Sequence, residues 1–203
     1  MDHQAREKQS QASSMSTKPL DETSKFLSYV LRHEPQSIGL TLDREGWAPM
    51  DTLIAAAGAH GRALDRALIE QVVTTSDKKR FAISEDGFRI RAVQGHSTPT
   101  VSISMQEKTP PAMLYHGTAT RFVESIRQQG LLPGSRHHVH LSEDAQTATS
   151  VGQRYGQPVV LSIAAGTMHG KGHRFYQAEN GVWLTAHVPI DFIAFAPANR
   201  IER

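Results

Sequence analysis

There is no cysteine anywhere in the 203 residues, which removes disulfides, thiolate metal sites and cysteine nucleophiles at one stroke. No apolar run approaches the roughly 18 to 20 residues that a membrane-spanning helix needs. The polar amino terminus carries no hydrophobic segment of the secretory type. A cytoplasmic protein with no membrane contact is therefore expected. Neither GxGxxG nor GxxxxGK[ST] occurs, so a Rossmann dinucleotide site and a P-loop both lack support. No GxSxG elbow is present for a serine hydrolase. Nor does either sign of charge dominate, with 22 basic against 20 acidic residues and a net charge of +2. An anionic partner is permitted by that balance but not required. What remains for chemistry is histidine, arginine, carboxylates and hydroxyls, and the chain holds 11 histidines.

Residues 1–22 are rich in Gln, Ser, Lys and Glu, with almost no large apolar side chains to offset the entropy of ordering. A disordered tail is expected there. Residues 24–31 then carry Phe26, Leu27, Val30 and Leu31, the stripe of a buried helical face. Pro35 forbids continuation and biases Glu34 out of the helical region. Arg32 and His33 are left in the last turn, where the macrodipole favours cations. Taken locally, the pair is a polar helix cap. Pro49 is expected at the first position of a second helix, running through Leu53, Ile54 and Ala57 to Gly58 as its stop. A third helix is expected from about Leu64, through Leu68, Ile69, Val72 and Val73, until Ser76-Asp77 breaks it. Residues 80–84 and 88–93 alternate with period two about Glu85-Asp86-Gly87, which predicts a hairpin. Three helices and a hairpin make a winged helix-turn-helix over residues 23–95. Such folds meet nucleic acid in some proteins and only other proteins in others.

Gly95 and residues 96–111 hold Ser, Thr and three prolines, the composition of an inter-domain connection, although residues 100–104 alternate as a strand would. From residue 112 to 203 short strands outnumber helices. Strands are expected over 114–118, 138–142, 159–163, 175–176, 182–185 and 193–195. Helices are expected around Phe122 and Ile126, stopped by Gly130, and over 144–151. This is an α+β domain on a curved or split sheet.

His137, His138 and His140, with His116, invite a metal. On a strand, His138 and His140 would share a face. Yet no carboxylate or further histidine sits at ligand spacing and no HExxH occurs, so no metal is expected. What recurs is arginine beside histidine or within a basic run: Arg32-His33, Lys78-Lys79-Arg80, and Arg136 before His137-His138-Val139-His140. Guanidinium forks suit phosphate oxygens, and three of them converging would form a clamp. Alone, each reads as a solvated charge. Arg62, Arg66, Lys78 and Lys79 read either as a track for RNA backbone or as a solvated face.

In order and spacing, Leu31-Arg32-His33, Asp77-Lys78-Lys79-Arg80-Phe81, Tyr115-His116-Gly117-Thr118, Arg136-His137-His138-Val139-His140-Leu141-Ser142 and Asn180-Gly181-Val182-Trp183-Leu184-Thr185 resemble the KptA-type RNA 2'-phosphotransferases. The resemblance spans residues 24–196. It implies an amino-terminal winged-helix RNA lobe and a carboxy-terminal lobe with an ADP-ribosyltransferase-like split β-sheet, which binds NAD without a Rossmann motif. It implies as well that an internal RNA 2'-phosphate attacks the nicotinamide-bearing ribose carbon of NAD, and that the adjacent ribose 2''-hydroxyl then displaces the RNA. The products would be RNA with a 2'-hydroxyl, ADP-ribose 1'',2''-cyclic phosphate and nicotinamide. In some organisms this reaction serves tRNA splicing. Carried over by position, the catalytic set falls on Arg32, His33, Arg80 and Arg136, and the NAD-binding set on His116, Gly117, Thr118, His140, Leu141 and Ser142.

Those residue types suit the implied chemistry. A phosphate is already an anion and nicotinamide already a good leaving group, so the first step needs neutralisation and alignment. In the second, a proton must pass from one hydroxyl to another, which suits an imidazole of ordinary pKa near 6.5. Two other readings stay open. One is a transferase that leaves ADP-ribose on protein or on a nucleic-acid end, against which stands the lack of an ExE near Gln177-Ala178-Glu179. The other is a winged-helix regulator whose second domain senses NAD. Without a coiled-coil heptad or a long exposed apolar stripe, a monomer is expected.

Overall fold

A computed structural model describes residues 19–195. The tail expected over 1–22 lies outside the described residues as far as residue 18. Its last four residues already belong to the first helix, α1, which occupies 19–32. Among the described residues the helix is already present ahead of its apolar stripe, where Leu20 packs on the core and Thr23 is buried. The chain divides into two compact units between Ile103 and Ser104, and both mix helix with sheet. Among the described residues no helix is long and apolar enough to cross a membrane.

In the first unit, α1 is followed by a 3-10 turn, Pro35–Ile38, then by β1 (Ala48–Pro49) and α2 (Met50–Ala59). Pro49 does not enter the helix as expected. It is extended, with ψ at 131°, and pairs with Arg89 at the end of β1. A proline fits there because an edge position asks for no N–H. Helix α2 also outruns Gly58, ending at Ala59 before Gly61 turns left-handed at φ 75°. Helix α3 (Arg66–Thr75) starts at Asp65, whose carboxylate accepts the Leu68 N–H at 2.8 Å. The predicted hairpin is β2 (Phe81–Ile83) and β3 (Arg89–Ala92), with Phe81 opposite Ala92 and Ile83 opposite Ile90. Strand β1 joins the far side of β3, giving the order β1-β3-β2. Leu27, Leu31, Met50, Leu53, Ile69 and Ile90 are fully buried within this unit.

Residues 100–104, expected as a strand, form none. Val101 instead inserts into the first unit's core at 1% exposure, and the Ser102 N–H donates to the Arg44 carbonyl at 2.7 Å. Alternation here reflects two side chains, Val101 and the partly buried Ile103, anchored on the core rather than a ladder.

Among the described residues the second unit contains two antiparallel sheets of three strands each. One is ordered β4-β6-β9, from Leu114–Ala119, Pro158–Ile163 and Ile193–Phe195; the other is β5-β8-β7, from Val139–Leu141, Trp183–Thr185 and Phe175–Gln177. Tyr115 and Ser142 exchange N–H to carbonyl bonds at 2.8 Å, tying the edge strand β4 to the end of β5. Helix α4 (Val123–Gln129) follows β4. Helix α5 (Ala145–Gly152) begins where the Asp144 carboxylate accepts the Thr147 N–H. A sixth helix, α6 (Ala165–Gly170), was not anticipated. It is a single short stretch containing two glycines, too brief to show an apolar period.

Strand β4 lies so close to α5 that a Cβ on Gly117 would stand 1.7 Å from the Ala148 carbonyl oxygen and 3.0 Å from the Gly152 nitrogen. Both neighbours are backbone, which cannot swing aside. Gly117→Ala should therefore lower the unfolding free energy by about 3 kcal/mol or more, as overpacking against a rigid wall does, measured by urea denaturation. An unchanged midpoint would show that the strand and helix are not so closely apposed.

Candidate active site

Two groups of side chains stand out, one in each unit. The first is built at the end of α1. There the Tyr29 carbonyl accepts both the His33 and the Glu34 N–H at 3.0 Å, and Pro35 starts the 3-10 turn. A terminating helix leaves carbonyls in need of donors. The Arg32 carbonyl finds two, the Ser97 N–H and the Thr98 hydroxyl, each at 2.9 Å. His33 Nδ1 lies 2.9 Å from the Ser97 hydroxyl. Arg32 reaches across to Arg80: its Nη2 donates to the Arg80 carbonyl at 3.5 Å, and its guanidinium carbon stands 5.9 Å from the centre of the Phe81 ring.

Arg80 is positioned from both ends of the α3–β2 turn. Lys79 adopts φ 39°, in the left-handed region, with its N–H on the Ser76 carbonyl at 3.0 Å. The Arg80 guanidinium donates to the Ser76 hydroxyl at 3.4 Å, and its carbonyl accepts the Val93 N–H at 3.1 Å. A left-handed turn at a non-glycine residue costs about 1 kcal/mol or more. Here it aims the next residue. Within the first unit Arg32, next to His33 in the chain, thus reaches the backbone of Arg80.

The second group surrounds β4 and β5. His116 Nδ1 donates to the His140 carbonyl at 3.0 Å, and His140 Nδ1 donates to the His138 carbonyl at 2.9 Å. His138 precedes β5 rather than lying in it, so it does not alternate with His140 as a strand neighbour; its ring instead meets Tyr176 edge-on at 5.7 Å. Thr118 is buried and Leu141 is in the core, while Gly117 packs on α5. Ser142 is held by its backbone exchange with Tyr115. Arg136 sits on an exposed bend, its N–H on the Pro133 carbonyl at 3.2 Å. Burial pushes the His116 pKa below its ordinary 6.5; the bond to the His140 carbonyl pulls it part of the way back up, and the Arg136 charge adds a lesser downward push. His116 is consequently a neutral imidazole near pH 7, its proton on Nδ1 and its Nε2 an acceptor. The His138 pKa is also lowered, first by burial and then by His137.

Beside His116 lies a cavity of about 220 Å³. Phe122, Ile126, Leu131 and Leu132 give it apolar walls, and Thr118, Ser125 and Gln129 add polar groups. Small-molecule pockets run from about 300 Å³ upward, so this one is small. Among the described residues no group of three or more histidines and carboxylates is placed to hold a metal ion.

The sequence missed several residues of these groups. Ser97 and Thr98 lie in a stretch whose composition reads as a connection, and nothing local marks them. Ser125 and Gln129 reach the cavity from a helix whose period reports only Phe122 and Ile126. Glu143 was also passed over; it accepts the Trp183 indole N–H at 2.7 Å and the Gln177 amide at 3.2 Å. Glu179 sits at the tip of the β7–β8 loop, which closes through Ala178, Gly181 and Val182.

A sequence profile described as "RNA 2'-phosphotransferase, Tpt1 / KptA family" matches residues 18–187. A Pseudomonas aeruginosa protein named "Probable RNA 2'-phosphotransferase" is 65% identical over 179 residues, covering 88% of this chain and 98% of that one. Proteins of the same name from Pseudomonas fluorescens and Escherichia coli O45:K1 are 62% and 59% identical. They cover 88% and 89% of this chain, and 98% and 94% of their own lengths.

The proximity of Arg136 and His116 has a direct readout. In an NMR titration, Arg136→Gln should raise the His116 pKa toward 6.5 by removing the nearby positive charge. Because the folded value lies below the unfolded one, the unfolded chain binds more protons between them. The contribution of His116 to stability is thus complete above about pH 6.5 and falls as pH drops toward the folded pKa. An Arg136→Gln protein with an unmoved His116 would separate the two residues.

Proposed function

Because the chain belongs to the Tpt1/KptA family of RNA 2'-phosphotransferases, we propose that it removes an internal 2'-phosphate from RNA by NAD-dependent transfer to ADP-ribose, releasing nicotinamide and ADP-ribose 1'',2''-cyclic phosphate. The observation that carries this reading is the reach of Arg32, beside His33 at the end of α1, to the Arg80 carbonyl 48 positions away. On the same reading, the first unit serves as a winged-helix RNA lobe and the second as an ADP-ribosyltransferase-like lobe.

The second unit's residues fit one end of NAD. A small cavity with apolar walls and a few polar groups suits an aromatic carboxamide. Neutral His116 offers Nε2 as an acceptor for a ribose hydroxyl without adding charge beside Arg136. Gly117, Thr118, His140, Leu141 and Ser142 form the frame that holds His116. When bound, NAD supplies an electrophilic ribose carbon bearing a leaving group.

Arg32, Arg80 and Arg136 act on the 2'-phosphate. Phosphate is doubly receptive to guanidinium forks, which neutralise it and align an oxygen for attack. They also stabilise charge on the transferred phosphoryl group in the second step. His33 takes the proton from the ribose hydroxyl as it attacks phosphorus and returns it to the departing RNA 2'-oxygen.

Single-residue variants assayed on RNA with one internal 2'-phosphate test these roles. Arg32→Gln, Arg80→Gln and Arg136→Gln should each reduce phosphate removal about 100-fold or more, the scale of losing one fixed donor to a developing charge. His33→Ala should slow the second step by about 100-fold or more and let RNA-linked ADP-ribose accumulate. His33→Ala at wild-type rate in both steps would remove the histidine from the reaction.

A further inference from the structure

We propose that Ser97 is the positioning residue for His33, holding its Nδ1 so that Nε2 is the nitrogen that exchanges the proton in the second step. The inference rests on the role given to His33 above.

The bond has the ordinary length of 2.9 Å from Nδ1 to the hydroxyl oxygen, and it spans 64 positions of sequence. More telling is how Ser97 is itself held. Its own N–H donates to the carbonyl of Arg32, the residue before His33, and Thr98 donates its hydroxyl to the same oxygen. His96 and Thr98 on either side are buried at 4% and 5% exposure, and Val101 is locked into the core. Gly95, at φ 88°, turns the chain against the Arg32 side chain. The segment that composition marks as a connection is thus a strap across the end of α1. It fixes the backbone of one proposed catalytic residue and the ring of its neighbour.

A hydroxyl is suited to this place. It offers two acceptor sites, so it accepts from Nδ1–H, which keeps its proton while Nε2 gains and loses one. The ring therefore keeps its orientation through a cycle in which it gains and loses a proton. In that cycle the proton leaves the attacking ribose hydroxyl for Nε2 as the oxygen–phosphorus bond forms. It then passes to the RNA 2'-oxygen as the old oxygen–phosphorus bond breaks, and the imidazole ends as it began. A carboxylate at the same place would favour the imidazolium and hinder the proton's return.

The test compares wild type, Ser97→Ala and Ser97→Thr in single turnovers with NAD and an RNA carrying one internal 2'-phosphate, following RNA-linked ADP-ribose and final RNA separately. Ser97→Ala keeps the N–H bond to Arg32 and should melt within a few degrees of wild type. Its second step should slow about tenfold or more, a part of what the imidazole contributes, while the first step changes little. RNA-linked ADP-ribose should therefore build up. Ser97→Thr, which restores a hydroxyl, should recover most of the rate. Should the alanine variant fail to fold, Ser97→Cys keeps the volume with a far weaker hydrogen-bonding group and should show the same selective slowing. An alanine variant with a wild-type second step, both steps falling in equal proportion, or a folded threonine variant as slow as alanine would each overturn the assignment. A wild-type protein that forms no RNA-linked ADP-ribose would overturn the reaction assigned to His33, and this inference with it. That outcome is distinct from a working wild type beside an indifferent Ser97→Ala.

Discussion

A helix that stops must find donors for its last carbonyls, and the way α1 meets that need organises the first unit. Had water supplied them, Arg32 and His33 would be two polar side chains at a frayed end. The chain instead returns after β3, places Ser97 and Thr98 on the Arg32 carbonyl and sets the Ser97 hydroxyl on His33. Each donor satisfies a buried polar group, worth about 0.5 to 1.5 kcal/mol net. The larger effect is geometric. Bringing the strap down also brings β3 and β2 alongside α1, so that Arg32 meets the Arg80 carbonyl and the face of Phe81.

The second unit solves a comparable problem at a sheet edge. Strand β4 has β6 on one side only, and an open edge is a liability. Ser142 closes part of it, and the His140 carbonyl takes the His116 imidazole proton. These contacts position the His116 ring and fix its tautomer, while burial leaves it neutral near pH 7 beside the Arg136 charge. The close approach of α5 to Gly117 keeps the strand from shifting. The placement of His116 is thus a consequence of how one edge is covered.

Much of this was legible from periodicity and punctuation. The hairpin about Asp86-Gly87 and the strands of the second unit follow from alternation and from Gly and Pro at their ends, because those signals are local. Pro49 was misplaced by one residue because an extended proline before a helix and a proline in its first turn share the same φ. Residues 95–104 were misread for a deeper reason. Their Gly, Ser and Thr are used for tertiary hydrogen bonds and one buried valine, and composition cannot distinguish such a strap from a free connection. The same limit applies to the site. Arg32 and Arg80 are 48 positions apart, and only their motif context, never their spacing, associated them. The cavity left no trace in the sequence at all, since Ser125 and Gln129 are unremarkable on a helix.

The central claim is that phosphate leaves RNA by consuming NAD, and stoichiometry tests it most directly. Protein, NAD and an oligonucleotide with a single internal 2'-phosphate are mixed, and nicotinamide and RNA 2'-hydroxyl are counted in the same samples. One nicotinamide should appear for each phosphate removed, and no phosphate should leave when NAD is withheld. Phosphate loss without NAD, as free inorganic phosphate, would mark a phosphatase and contradict that claim.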